Sequence, residues 1–212
     1  MLSTPATPRP HLRRGLSLIE LMLAVTITAL VGAAIAGMLN AVTVGVDTRR
    51  DNRSMMVRSS LAQARLNAYI APSRCVLYRS GANLVLWFND QKQSETVHAS
   101  EVRWLDYDAS AGEITVSFVQ FPENWSQTET DLADREFPAD SDWPRVRDFY
   151  DARGHLARLT LVDGLDSVTL TADASSPLVA RLLTYRLRFA AGDDTFETIA
   201  SGAIRHHHEP AY

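Results

Sequence analysis

Arg13-Arg14-Gly15-Leu16-Ser17-Leu18-Ile19-Glu20-Leu21-Met22 is the stretch on which the reading of this chain turns. It joins a basic segment to an apolar one, and the apolar side holds a single carboxylate. From Leu21 to Val46 there is no Asp, Glu, Lys, Arg or His. Crossing a hydrocarbon core takes roughly 20 helical residues, so the segment is long enough to span a membrane. Arg9, Arg13 and Arg14 precede it and favour a cytoplasmic N-terminus, although Arg49, Arg50 and Arg53 on the far flank reduce the asymmetry. Glu20 is the residue that needs a reason. A charge at the bilayer centre costs about 2.5–3.5 kcal/mol on insertion scales, less near the interface, and an intramembrane carboxylate calls for a partner.

The run Leu18-Ile19-Glu20-Leu21-Met22 after Arg13-Arg14-Gly15 resembles the class III prepilin signal of type IV pilins and of the pseudopilins of type II secretion. That resemblance implies cleavage by a prepilin peptidase between Gly15 and Leu16 and N-methylation of the new Leu16 amine. It also implies a role in assembly for Glu20, whose carboxylate would neutralise the N-terminal amine of an adjoining subunit. The first mature residue would be Leu16, where Phe is commonest in the family, and Gly37 stands where many members have a kinking Pro. The implied partners are other pilin-like subunits, the peptidase, an inner-membrane assembly platform and the membrane itself. The implied location is the inner membrane, in a single pass with the head extracytoplasmic.

Other readings of the same segment stand beside this one. Glu20 could simply snorkel to headgroups. Ala34-Ile35-Ala36 offers an A-x-A site, so a secretory signal cut before Gly37 is an alternative. Its apolar region would then contain Glu20 and continue past the cut to Val46. An uncleaved single-pass anchor carrying a ligand-binding or enzymatic β-rich head is a further one. Within the helix, Ala29, Ala33, Gly37, Ala41 and Gly45 recur every fourth residue, a spacing that lets helix backbones approach closely. An every-fourth row drifts by ~40° per step, so these positions make a broad packing face or simply an Ala/Gly-rich helix.

Downstream, helical periodicity persists. Met55, Leu61, Leu66 and Tyr69 are the expected core positions, and Pro72 marks the end near Ala71. Short β segments follow: Val76–Arg79, Leu84–Phe88, a hairpin over Val102–Tyr107 and Glu113–Phe121, then Leu156–Val162, Ser167–Ala172, Leu182–Phe189 and Thr195–Ile199. The segment Glu123–Pro144, rich in Pro and Asp, reads as a long surface loop. The expected fold is α+β and pilin-like, a long N-terminal helix whose first half spans the membrane and whose second half packs on an antiparallel sheet. The expected divisions are a leader at 1–15, a membrane segment at 16–46, an amphipathic continuation at 47–71 and a β-rich head at 72–212. The size of the head, the lack of a cysteine pair and Leu161-Val162-Asp163-Gly164-Leu165 loosely resemble a J-type minor pseudopilin.

No constellation of chemistry stands out. There is no P-loop, dinucleotide fingerprint, G-x-S-x-G elbow or HExxH, so no catalytic residue, cofactor or metal is expected and the protein is read as a non-enzyme. A net charge of −4 with no basic, aromatic-studded stripe gives no nucleic-acid signal. Cys75 is the sole cysteine, so no intrachain disulfide can form and a buried apolar role is expected. His206, His207 and His208 read as a solvated tail, and Asp131, Asp134, Asp140 and Asp142 as solvated loop carboxylates without EF-hand spacing. Asn52-Arg53-Ser54 and Asn124-Trp125-Ser126 match the N-glycosylation triplet, a pattern common by chance. Intact-mass or N-terminal analysis of protein from its own host is expected to find a methylated chain beginning at Leu16. A mature chain beginning at Met1 or Gly37 would overturn that processing scheme.

Overall fold

The computed structural model describes residues 17–191 and 194–211, with side chains described for 17–39, 54–190 and 195–211. The chain divides into two compact units, 1–50 and 51–212. A single helix, α1, runs over Leu18–Ile70. In the first unit its described part, Leu18–Leu39, is apolar enough to cross a membrane and is exposed throughout. Leu18, Met22, Leu30, Ile35 and Met38 are all exposed. Because these positions cover every side of the helix, a one-sided protein core could not bury them. The two hydroxyls in this stretch are satisfied within the helix. Thr26 Oγ1 donates to the Met22 carbonyl and Thr28 Oγ1 to the Ala24 carbonyl, both at 2.8 Å, so neither presents an unpaired donor to an apolar solvent.

In the second unit the remainder of α1 carries a stripe at Met55, Ser59, Ala62, Leu66, Tyr69 and Ile70. Ala62, Leu66 and Ile70 are buried to 2% exposure or less, and Met55 and Tyr69 pack at the margin of the same core. Leu61, expected in that core, is instead 47% exposed. Its neighbour Ala62 occupies the inward position, and a one-residue step turns about 100° around the helix. The expected end of the helix lies within a residue of the observed one. Ser73 closes it, its Oγ donating to the Tyr69 carbonyl at 2.6 Å.

The strands are β1 (Cys75–Ser80), β2 (Asn83–Trp87), β3 (Val97–His98), β4 (Val102–Asp108), β5 (Glu113–Val119), β6 (Glu136–Phe137), β7 (Leu156–Val162), β8 (Leu165–Ala172), β9 (Leu182–Ala191) and β10 (Asp194–Ala203). They form a five-stranded sheet in the order β1-β2-β4-β5-β7, a three-stranded sheet β10-β9-β8 and a small β3-β6 ribbon. Every pairing is antiparallel. The hairpin expected over Val102–Phe121 is β4–β5, with Leu105 opposite Val116 and Tyr107 opposite Ile114. Its turn depends on Gly112. This residue sits at φ +64°, and a Cβ there would stand 2.6 Å from the Leu165 carbonyl oxygen, whose own amide donates to the Gly112 carbonyl at 2.8 Å.

Alternation along the strands sends side chains into two cores. Val76, Leu84, Leu86, Leu105, Ile114 and Val116 face α1 and share that core with Leu170, Leu183, Tyr185, Leu187 and Phe189 of the three-stranded sheet. Cys75, Leu77, Val85, Trp87, Trp104 and Val119 form a second core on the opposite face. That second face is covered by the segment read from sequence as a loop. Within Glu123–Pro144 lie α2 (Gln127–Ala133), β6 and the start of α3 (Trp143–Asp151), which brings Trp143, Val146 and Tyr150 into burial. Pro144 does not break this helix because it stands in the first turn, where no intrahelical N–H bond is required. Asp142 caps it by accepting from the Arg145 amide at 3.2 Å, and Ser126 and Glu129 form a capping box on α2. Both start signals are legible in the sequence, and the prolines mask them.

Gly202 lets β10 lie against α1, since a Cβ there would meet Asn67 Oδ1 at 2.5 Å and Ile70 Cδ1 at 3.0 Å. The chain after β10 is tied across the head by its backbone, although His206 and His208 are exposed as expected. The Arg205 amide donates to Ala71 O, that of His208 to Arg74 O and that of Ala211 to Glu95 O. His207 Nε2 donates to the Leu178 carbonyl at 2.7 Å.

Leu66→Ala is expected to lower head stability by about 2–5 kcal/mol, the usual cost of truncating a buried leucine, whereas Leu61→Ala is expected to stay within about 0.5 kcal/mol. Thermal melts of both variants check this, and equal losses would reject the assigned stripe. Burial, and secondarily the charge of Glu209, push the Cys75 thiol up to about 12. The folded protein is therefore expected to resist iodoacetamide near pH ~8.5, where a free thiol is about half ionised, and to react promptly in guanidinium.

Candidate functional site

The site is the N-terminal end of α1. Gly15 and Leu16 lie outside the described residues, so the geometry begins at Ser17. Ser17 precedes the first helical residue and Glu20 occupies the third position of the first turn, the S-x-x-E arrangement of a capping box. The Ser17 amide donates to Glu20 Oε2 at 2.9 Å, and the Glu20 amide donates back to Ser17 Oγ at 3.3 Å. The Leu21 amide donates to the Ser17 carbonyl at 3.1 Å and begins the helical ladder. Two of the amides that every helix start leaves without intrahelical partners are thereby satisfied by side chains. The carboxylate also sits at the end of the helix where the macrodipole favours negative charge. The part played by Ser17 was missed in the sequence reading, although the S-x-x-E spacing announces it.

Cleavage after Gly15 would leave the Leu16–Ser17 peptide bond intact, so the box can persist in a processed chain. The ammonium created on Leu16 would then lie one residue from an amide that already donates to the Glu20 carboxylate. Glu20 has accepting capacity beyond the Ser17 bond, since an ionised carboxylate offers about four lone-pair sites. The structure thus presents a carboxylate that is held in place locally and still able to receive a cation.

The proposed packing row is partly described. Ala29 and Ala33 are exposed, as is Gly37, and nothing approaches within 4 Å of the position a Cβ would take on Gly37. Ala41 and Gly45 lie in α1, but side chains over 40–53 are outside the described set.

Elsewhere several of the residues weighed for chemistry have structural partners, while Asp140 is exposed. Asp134 is buried and accepts from the Ser100 amide at 2.9 Å and the Ser100 hydroxyl at 2.7 Å, with Lys92 Nζ at 3.1 Å. Lys92 also reaches Asp131 at 3.0 Å, and this hydrogen bond, followed by one from Gln127, holds the Asp131 carboxyl below its usual range. Asp142 is a helix cap. Glu101, buried, accepts from Trp87 Nε1 at 3.1 Å, the His98 amide at 3.2 Å and the Lys92 amide at 3.1 Å, which is how an interior carboxylate is made tolerable. Among the described residues no group of three or more His, Cys, Asp or Glu side chains is arranged to hold a metal.

Comparison with known proteins bears on the N-terminal end. Residues 11–36 match the family model of the prokaryotic N-terminal methylation motif. No curated protein and no solved structure matches the chain. The matched residues include Arg13 and Arg14, Gly15, Leu16, the Ser17–Glu20 box and most of the exposed apolar stretch Leu18–Leu39. The chain thus carries the class III prepilin signal of the type IV pilin-like proteins, joined to an antiparallel head of α+β, pilin-like architecture.

Proposed function

We propose that the protein is a structural subunit, a minor pseudopilin or pilin-like protein, that inserts through α1 into a pseudopilus or pilus serving protein secretion or pilus biogenesis. The methylation motif supports a pilin- or pseudopilin-type subunit and implies processing by a prepilin peptidase and assembly with other pilin-like subunits. One observation carries the reading: that motif adjoins a helix apolar on every side, in which Glu20 is the one charged group among residues 17–39. In this scheme Gly15 and Leu16 flank the cut, Leu16 carries the methylated amine, and Glu20 receives the Leu16 ammonium of a neighbouring subunit. The Ala29, Ala33, Gly37, Ala41 and Gly45 row lets neighbouring helices approach. The protein is anchored in the inner membrane by one pass, head outward, against the platform that assembles the fibre. It performs no catalysis. The head's size and the Leu161–Leu165 turn between β7 and β8 favour a J-type minor pseudopilin within this class.

Low dielectric makes the Glu20 pairing costly to break, by about 3–5 kcal/mol when one partner of a desolvated pair is removed. Two variants separate assembly from capping. Glu20→Gln keeps a side chain able to cap, because Gln serves the box as Glu does, yet it loses the charge. Ser17→Ala keeps the charge and loses the cap, at a cost of about 1 kcal/mol confined to the helix end. Glu20→Gln is expected to insert, to be cleaved and to melt normally in the head, but not to co-purify with pilin-like partners. Ser17→Ala is expected to co-purify near the parent level. Normal assembly by Glu20→Gln would reject the pairing, and equal failure of both variants would make the cap, not the charge, the essential feature.

A further inference from the structure

On the face of the head away from α1, the approach to α3 forms a cleft of about 300 Å³, lined by Arg135, Phe137, Ser141, Arg145, Val146 and Phe149. Its volume is at the lower end of ligand pockets, too small for a large cofactor and adequate for one aromatic side chain and its neighbours. The floor is apolar: Val146 is buried, and Phe137 and Phe149 are half-buried. The rim is cationic. Arg135 and Arg145 are exposed, and among the described residues neither guanidinium pairs with a carboxylate. Arg147, two positions along the same helix, is by contrast held by Asp106 at 2.8 Å and Asp148 at 3.3 Å. The Arg135 guanidinium stands 5.1 Å from the Phe149 ring centre and that of Arg153 3.4 Å, so positive charge gathers over the aromatic floor.

Asp142 also lines the cleft and is exposed; its Oδ1 accepts from the Arg145 amide as the cap of α3, and its charge offsets part of that of the two arginines. Ser141 Oγ donates to the Pro138 carbonyl at 2.7 Å. The cleft thus offers a ligand two guanidiniums against one carboxylate, with the accessible parts of the Phe137 ring and of the Phe149 ring that Arg135 and Arg153 also approach. Guanidinium forks match carboxylates bidentately, and phenyl rings take an aromatic side chain edge-on or offset. We propose that this cleft docks an acidic peptide segment of a partner protein, taking one aromatic side chain against Phe137 and Phe149 while flanking carboxylates meet Arg135 and Arg145. The site is independent of Glu20, so its failure would leave the assembly reading untouched.

The test uses the full chain in phosphatidylcholine nanodiscs and a fluorescent, end-capped peptide of one phenylalanine flanked on each side by two glutamates. Anisotropy is expected to show saturable binding below about 1 mM. Binding should weaken at least about tenfold when Arg135→Gln and Arg145→Gln are combined, with an unchanged melting temperature. A similar loss is expected with glutamines in place of the peptide's glutamates, or alanine in place of its phenylalanine. Absence of saturable binding, or equal binding of the glutamine peptide or by the double variant, would overturn the proposal. So would recruitment of the nanodiscs to phosphatidylglycerol vesicles through the two arginines without peptide binding, which would make the cleft a lipid contact.

Discussion

The inward stripe of α1 from Met55 to Ile70 is the contact on which the head depends. Ala62, Leu66 and Ile70 enter one core with side chains from both the five-stranded and the three-stranded sheets. Burying an aliphatic side chain of this size contributes about 1.5–3 kcal/mol, and here the same few residues serve two sheets at once. The small residues on the path are as necessary as the large ones. Ala62 admits the neighbouring strands, and Gly202 allows β10 to approach Asn67 and Ile70. Tyr185 shows how dry this core is. Its hydroxyl is buried without a hydrogen-bond partner, and burial drives its ionisation far above the ordinary phenol range.

The same helix meets a different problem in its first unit. Leu18–Leu39 has no polar side to offer water and is long and apolar enough to cross a membrane. Inside a membrane each polar group needs an internal partner. Thr26 and Thr28 find theirs four residues back, and Glu20 finds one in the Ser17 amide. Glu20 differs from the threonines because a carboxylate has capacity left after one hydrogen bond. The local bond fixes its position and does not exhaust it. Structure and proposed function meet at that unspent capacity.

On the far face of the sheet, three tryptophans set the terms. Trp87, Trp104 and Trp143 are fully buried, and each indole N–H is matched, to Glu101 Oε2, the Trp143 carbonyl and the Ala139 carbonyl. An unpaired indole donor would make so large a buried group costly. Glu101 therefore belongs to the core although it is charged, and the turns around Lys92, His98 and Ser100 exist to surround it and Asp134 with donors. This polar scaffolding positions α3 and, with it, the cleft rimmed by Arg135 and Arg145.

The junction at Gly15–Glu20, the apolar segment, the long helix and the alternating strands were all legible in the sequence, because each is local. Charge sign, helical period and strand alternation are set within a few residues and need no distant partner. The Ser17–Glu20 box was equally legible by its spacing and was passed over. What the sequence could not show is which contacts distant segments make. Leu61 and Ala62 both fit a helical stripe, and only the arrival of the sheets turned Ala62 inward and left Leu61 in water. The alternation of Ile114, Val116 and Phe118 suggests a half-buried strand, yet Ser117 and Val119 on its other face are buried while Phe118 is only half-buried, because α3 covers the second face. The segment Glu123–Pro144 carries enough Pro and Asp to suggest a solvated loop, but Trp143 gains more from burial than its polar neighbours lose once Asp142 and Asp134 are spent as cap and ion-pair partner. Three histidines at a chain end suggest a free tail until backbone bonds to Ala71, Arg74 and Glu95 hold that end across the head. Local chemistry determined the elements. Which of their faces are buried was decided by tertiary contact, since burial depends on what arrives from elsewhere in the chain.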